Sequence, residues 1–159
     1  MIHLEEVIRQ LTANAEAVRV LAQGFSDEQA QWKPTPTTWS MKEVMEHVYQ
    51  EERIDFRQLL SEMFNQPPPP GESRPTADCH RALEGFLSER SASIAWLRTL
   101  QSPDWQIRLP APRHNVNAGD VLASWVEHDY LHMRQMIEVL HAWNEQQVAP
   151  YAVQYGGGW

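Results

Sequence analysis

The sequence predicts an all-α fold, a four-helix bundle, on three observations. Four long stretches repeat apolar residues at spacings of three and four, the pattern of helices that each bury one stripe. No stretch reads convincingly as a strand, and no internal repeat is present. The segments between the periodic stretches carry prolines and helix-capping residues, and they are long enough to permit crossovers.

Each element follows from local chemistry. Residues 2–23 place Leu4, Val7, Ile8, Leu11, Val18, Leu21 and Ala22 on one stripe, which gives the first helix. Ser26-Asp27-Glu28-Gln29 has the capping-box form, so a short turn runs to Trp32 before Pro34 and Pro36 stop it. Ser40 with Glu43 forms a second box and opens a helix over residues 40–64, with Met41, Val44, Val48, Ile54, Leu59 and Met63 inward. The run NQPPPPGESRP cannot continue a helix and reads as an exposed connection. A third helix over residues 76–100 turns Leu83, Phe86, Leu87, Ile94 and Leu97 inward. SPDWQIRLPAPRHNV is a long loop with a short extended piece at Trp105–Leu109. Asn117 and Asp120 then open a fourth helix whose buried side is Val121, Leu122, Trp125, Met136, Val139, Leu140 and Trp143. Residues 1–150 are expected to form one domain, and 151–159, ending YGGGW, a flexible tail.

Bulk composition removes several function classes. A net charge of −8 and only two lysines, Lys33 and Lys42, argue against binding nucleic acid or an anionic membrane surface, which requires a basic patch. No apolar run approaches the roughly 20 residues of a membrane span, and the charged start MIHLEEVIRQ is unlike a signal peptide, so the expected location is cytoplasmic. The single cysteine, Cys79, excludes an intramolecular disulfide and a thiolate-rich zinc site. Any metal must therefore be held by histidine and carboxylate.

The seven histidines sort by position. Counting about 100° per residue from Val121, Trp125 and Trp143 fall near 40° and Val139 near 0°, while His128 falls at about −20° and His132 at about 20°. Both imidazoles thus sit inside the apolar stripe, where each needs a partner to offset its desolvation. His47 lies on the flank of the second helix's stripe and can meet them. Three neutral imidazoles satisfy one another poorly, whereas one Zn²⁺ or Ni²⁺ accepts all three and keeps open positions for water or substrate. His141 points away from the stripe and is expected to be solvated, His3 and His80 lack any such placement, and His114 lies in the loop before the last helix, at a possible site mouth. Cys79 has no neighbour in sequence that marks it as a nucleophile.

These residues carry a family resemblance. TTWSMKEVMEHV, containing Trp39, Ser40 and His47, followed by HDYLHMRQ, resembles the DinB/YfiT-like superfamily over nearly the whole chain. The resemblance implies a four-helix bundle of up-down-down-up connectivity, often a homodimer, with a divalent metal on His47, His128 and His132. Gln135 matches the end of the HxxxHxxQ pattern and is expected to support a ligand. The superfamily includes thiol-dependent S-transferases, so the first functional expectation is a metal-dependent transferase that uses a low-molecular-weight thiol such as bacillithiol on a small electrophile. No basic cluster stands out as an anchor for such a thiol's carboxylates, to which Arg53, Arg57, Arg113 and Arg134 could contribute. Metal-assisted hydrolysis is the second expectation, because Asp129 occupies the position of the glutamate base in HExxH, one methylene short. A metal-stabilised binding or stress-response module without catalysis is the third.

Overall fold

The computed structural model describes residues 2–68, 78–109 and 116–157. Most of the proline-rich connection, Arg113 and His114, and the last two residues of the tail lie outside them. The described helices are α1 (Leu4–Ala22), α2 (Asp27–Gln31), α3 (Met41–Ile54), α4 (Phe56–Phe64), α5 (Cys79–Leu97) and α6 (Ala118–Val148). A single 3₁₀ turn follows at Gln154–Gly156. Reciprocal capping boxes at Ser26/Gln29, Ser40/Glu43 and Asn117/Asp120 start α2, α3 and α6, and the Asp78 carboxylate accepts from the Arg81 amide at the head of α5. Asn65, left-handed at φ 51°, closes α4. The extended piece predicted at Trp105–Leu109 pairs with the approach to α6 through an isolated antiparallel bridge between Arg108 and Asn117. No helix among the described residues is long and apolar enough to cross a membrane.

The core pairings give the directions of the helices. At one end Ile8 and Leu11 pack with Leu60, Trp96, Leu97, Val121, Leu122 and Trp125. At the other end Val18 and Ala22 meet Met41, Val44, Ala82, Leu83, Met136 and Val139. α1 is therefore antiparallel to the α3/α4 pair and to α5, and parallel to α6. The α3/α4 pair runs parallel to α5, since Tyr49 lies against Gly85, Glu52 meets Arg90, and Arg57 reaches Ser93. This is the up-down-down-up order. Two parallel neighbours require a connection that returns the length of the bundle.

The second helix departs from expectation. The sequence reads as one helix over 40–64, but the backbone breaks at Asp55 (φ −112°, ψ −92°), and α4 continues in a new phase. In an unbroken helix Leu59 would lie about 60° from Val44, and Arg57 about 140° away on the opposite side. The break reverses their standing: Arg57 is 1% exposed and Leu59 only half buried, while Ile54, expected inward, is 53% exposed. Burial of Arg57 rests on its hydrogen bonds to Glu89 and Ser93 of α5, and apolar periodicity carries no information about such a pair.

Between the two apolar ends lies a buried polar layer of Asn14, Glu52, Arg57, Glu89, Arg90, Ser93 and Asp129. Arg90 is its hub. Its Nη1 donates to Asp129 Oδ2 at 2.8 Å and to the Leu11 carbonyl at 3.1 Å, and its Nη2 donates to Glu52 Oε2 and to Asp129 Oδ1, both at 2.8 Å. Burial alone would lower the Arg90 pKa, but Glu52 and Asp129 outweigh it and hold the guanidinium above the ordinary arginine range. Replacing Arg90 by Met leaves two carboxylates buried without their cation and is expected to reduce unfolding stability by about 3–5 kcal/mol. Urea denaturation of the two proteins checks this, and a loss below about 1 kcal/mol would remove Arg90 from its central position.

Candidate metal centre

His47 enters the site from α3, while His128 and His132 enter from successive turns of α6. His128 Nε2 lies 3.3 Å from His47 Nε2 and 3.0 Å from His132 Nε2, and the three side chains can each offer one nitrogen within 4.8 Å of the others. These separations fit a common ion. For bonds of about 2.0–2.1 Å and angles of about 95–110°, ligand nitrogens sit about 3.0–3.4 Å apart. The His132 tautomer agrees: its Nδ1 lies 2.7 Å from Gln135 Oε1, an acceptor only, so the proton is on Nδ1 and the Nε2 lone pair faces the cluster. The donor set is therefore three neutral nitrogens on one face.

Electrostatics keep the rings neutral. Burial lowers the pKa of all three. His128 is pushed down to about 3, first by burial and then by its two imidazole neighbours and Arg90. For His132 the Gln135 contact and the Asp129 charge partly oppose burial. Deprotonated imidazole is the form that binds a metal, so protons compete weakly here near neutral pH.

Two aromatic residues frame the cluster. The Trp39 ring stacks parallel to His132 at 6.2 Å and sets its edge against His47 at 5.1 Å. Phe56 meets His128 at 5.1 Å and stacks on Trp125 at 5.7 Å. The break at Asp55 delivers Phe56, the first residue of α4, to this position. Glu51, one turn beyond His47, has an oxygen 4.0 Å from its Nδ1, and burial together with Asp55 raises the Glu51 pKa. A cavity of about 360 Å³ opens beside Trp39 and Gln135, with Thr37, Glu138 and Val139 in its wall.

The other candidates from the sequence fall elsewhere. Asp129 is buried at 3% exposure, both oxygens are taken by Arg90, and Asn14 donates to one of them, so its carboxylate belongs to the polar layer. Cys79 is buried and its thiol is pushed up to about 11, first by burial, which leaves it a poor nucleophile. His141, expected to be solvated, is half buried near Glu145. His3 and His80 are exposed on other surfaces. Arg57 is committed to Glu89, Arg53 donates to Gln50, and Arg134 pairs with Glu138 at the surface. Arg90 and Glu52 were not singled out from the sequence. Arg90 follows Phe86 by four positions on α5's buried stripe, and the argument applied to His128 and His132 would have flagged it.

Fold and site together define a helical bundle whose three clustered histidines could hold a metal ion. The chain belongs to the DinB superfamily, whose family model matches residues 10–136. Among solved structures it is similar to one described as "YfiT from Bacillus subtilis is a probable metal-dependent hydrolase with an unusual four-helix bundle topology", at 15% sequence identity, with 91% of each chain covered and a TM-score of 0.71. That likeness shows the fold. No curated protein matches the chain.

The depressed histidine pKa values set a pH dependence for the metal-free protein. The unfolded chain takes up protons near pH 6.5, whereas folded His128 does not until about 3, so stability is full above pH 6.5 and falls as the pH drops below it. At pH 5.5 the loss due to His128 is expected to be about 1 kcal/mol after allowance for solvent screening of a half-buried ring. Chelator-treated protein unfolded in urea at pH 7.5 and 5.5 checks this, with His128→Phe expected to flatten the dependence.

Proposed function

We propose that this protein is a cytosolic enzyme that holds one Zn²⁺ or Ni²⁺ on His47, His128 and His132 and transfers a small thiol to an electrophile. The observation that carries the metal reading is the convergence of one ring nitrogen from each histidine within 4.8 Å, His128 Nε2 lying 3.0 Å from His132 Nε2 and 3.3 Å from His47 Nε2, with Gln135 on His132 Nδ1. His47, His128 and His132 would hold the ion, and three neutral ligands would leave it its full charge, so it would supply Lewis-acid chemistry at this site. In the transfer the thiolate sulfur bonds to the electrophilic carbon, the leaving group departs with its electron pair, and the thiol proton goes to solvent. Gln135 holds the ring of His132, and Trp39 and Phe56 exclude water from two sides of the cluster. Thiol chemistry is favoured because a thiol is acidic enough to ionise without a dedicated base, and the one carboxylate within the HxxxH segment, Asp129, is held by Arg90.

Hydrolysis is the second reading. Glu51 supports it, since its carboxyl lies at the flank of His47 with a pKa raised by burial and by Asp55, which suits a general base. The printed description of YfiT as a probable metal-dependent hydrolase points the same way.

Elemental analysis of the purified protein is expected to find about one Zn²⁺ or Ni²⁺ per chain, with none in His128→Ala and a 10- to 100-fold weaker affinity in Gln135→Leu, on the order of other ligand-supporting residues. Loaded protein should conjugate thiols to chlorodinitrobenzene. Glu51→Gln should leave that rate within about twofold but would abolish ester or amide hydrolysis if the second reading holds. A fall in melting temperature on chelation, without turnover of either kind, would leave a metal-stabilised binding module.

We further propose a homodimer through the outer face of α1 and α6. A groove of about 770 Å³ there is walled by Ala17, Val20, Tyr130, Met133 and Ile137, and Val20, Tyr130 and Ile137 are 55%, 43% and 40% exposed. Glu16 and Arg134 also line it, each in an ion pair within its own helix, with Arg19 and Glu138. Light scattering should give twice the chain mass for the wild type and one chain mass for Ile137→Asp.

A further inference from the structure

The distances within the cluster assign the imidazole protons. His132 carries its proton on Nδ1, facing Gln135 Oε1, so its Nε2 is bare. His128 Nε2 lies 3.0 Å from that bare nitrogen and donates to it, since two bare nitrogens at this separation would set lone pair against lone pair. Once it carries a proton, His128 Nε2 has no lone pair left, and His47 Nε2, 3.3 Å away, has nothing there to donate to. His47 Nε2 is therefore bare, and the proton of this neutral ring is on Nδ1. An ion bound through His47 Nε2 leaves the proton on the same atom. With or without metal, His47 presents an N–H at its other ring nitrogen.

The acidic group beside that nitrogen is Glu51. It follows His47 by four residues on α3, one turn along the same face, and its Oε1 lies 4.0 Å from His47 Nδ1. That gap exceeds a hydrogen bond, and a rotation of the Glu51 side chain is enough to close it. The His47 and Glu51 side chains are only 31% and 28% exposed, which limits the water that could take the same N–H. Asp55, at the break a further turn along, hydrogen-bonds the Glu51 carboxyl. We propose that Glu51 is a positioning residue: it accepts the His47 Nδ1–H and holds the ring with Nε2 toward the cluster, as Gln135 does for His132. The proposal rests on the metal reading above, and it gives Glu51 a task other than that of a general base.

Wild type, Glu51→Gln and Glu51→Leu test it, Gln keeping an acceptor oxygen without the charge and Leu keeping neither. Competition titration with Co²⁺ is expected to give Glu51→Leu an affinity about 10- to 100-fold weaker than wild type, and Glu51→Gln an affinity within about threefold of it. Equal losses in both variants would show that only the charge matters and would overturn the proposal, as would a Glu51→Leu affinity within about threefold of wild type. Melting of the metal-free proteins verifies that all three are folded. Nitrogen-15 NMR of the same metal-free proteins supplies a readout that needs no ion. His47 should be protonated on Nδ1, with a downfield Hδ1 resonance that persists in Glu51→Gln and is lost to exchange with water in Glu51→Leu. Protonation on Nε2 in the wild type, or an Hδ1 resonance indifferent to Glu51→Leu, overturns the proposal. If the wild type takes up no Co²⁺, the metal reading fails, and the NMR comparison alone decides the role of Glu51.

Discussion

The buried guanidinium of Arg90 is the constraint on which the arrangement of this bundle depends. From a single point on α5 it donates hydrogen bonds to α1, α3 and α6. A buried charge tolerates little displacement from its partners, because the desolvation of each ion is offset only while the geometry holds. Apolar stripes can slide past one another at modest cost, but this layer cannot. Trp125 adds a second tie by donating to Glu52 Oε2 at 2.9 Å.

The same layer orients the histidines. Asp129 follows His128 directly and precedes His132 by three residues, so the clamp of Arg90 and Asn14 on Asp129 fixes the rotation of α6 about its axis. With Asp129 turned toward α1 and α5, His128 and His132 face α3 and meet His47. The residue that resembles the base of a protease signature instead sets the angle from which the imidazoles approach. The break at Asp55 has a comparable effect on the other side, since it rotates Arg57 into the core and places Phe56 against His128. At 15% identity to YfiT the fold persists although most side chains differ.

Much of this was readable from residue order alone. Helical period, two capping boxes, the Asn117/Asp120 start and the prolines gave the helices and their starts, because those signals act within a turn or two of the chain. The inward phase of His128 and His132 followed from the same arithmetic, as did the need for a third partner. The break at Asp55, the burial of Arg57 and Arg90, and the capture of Asp129 were not readable in this way. Each depends on a charge supplied by a helix distant in sequence, and a buried ion pair leaves no periodic trace on either strand of the pattern. Local interactions are written into neighbouring residues and fix which segments are helical and which faces are apolar. The docking of those faces determines which polar groups meet, and it is there that three separate imidazoles become one candidate site and a candidate base becomes a structural anchor.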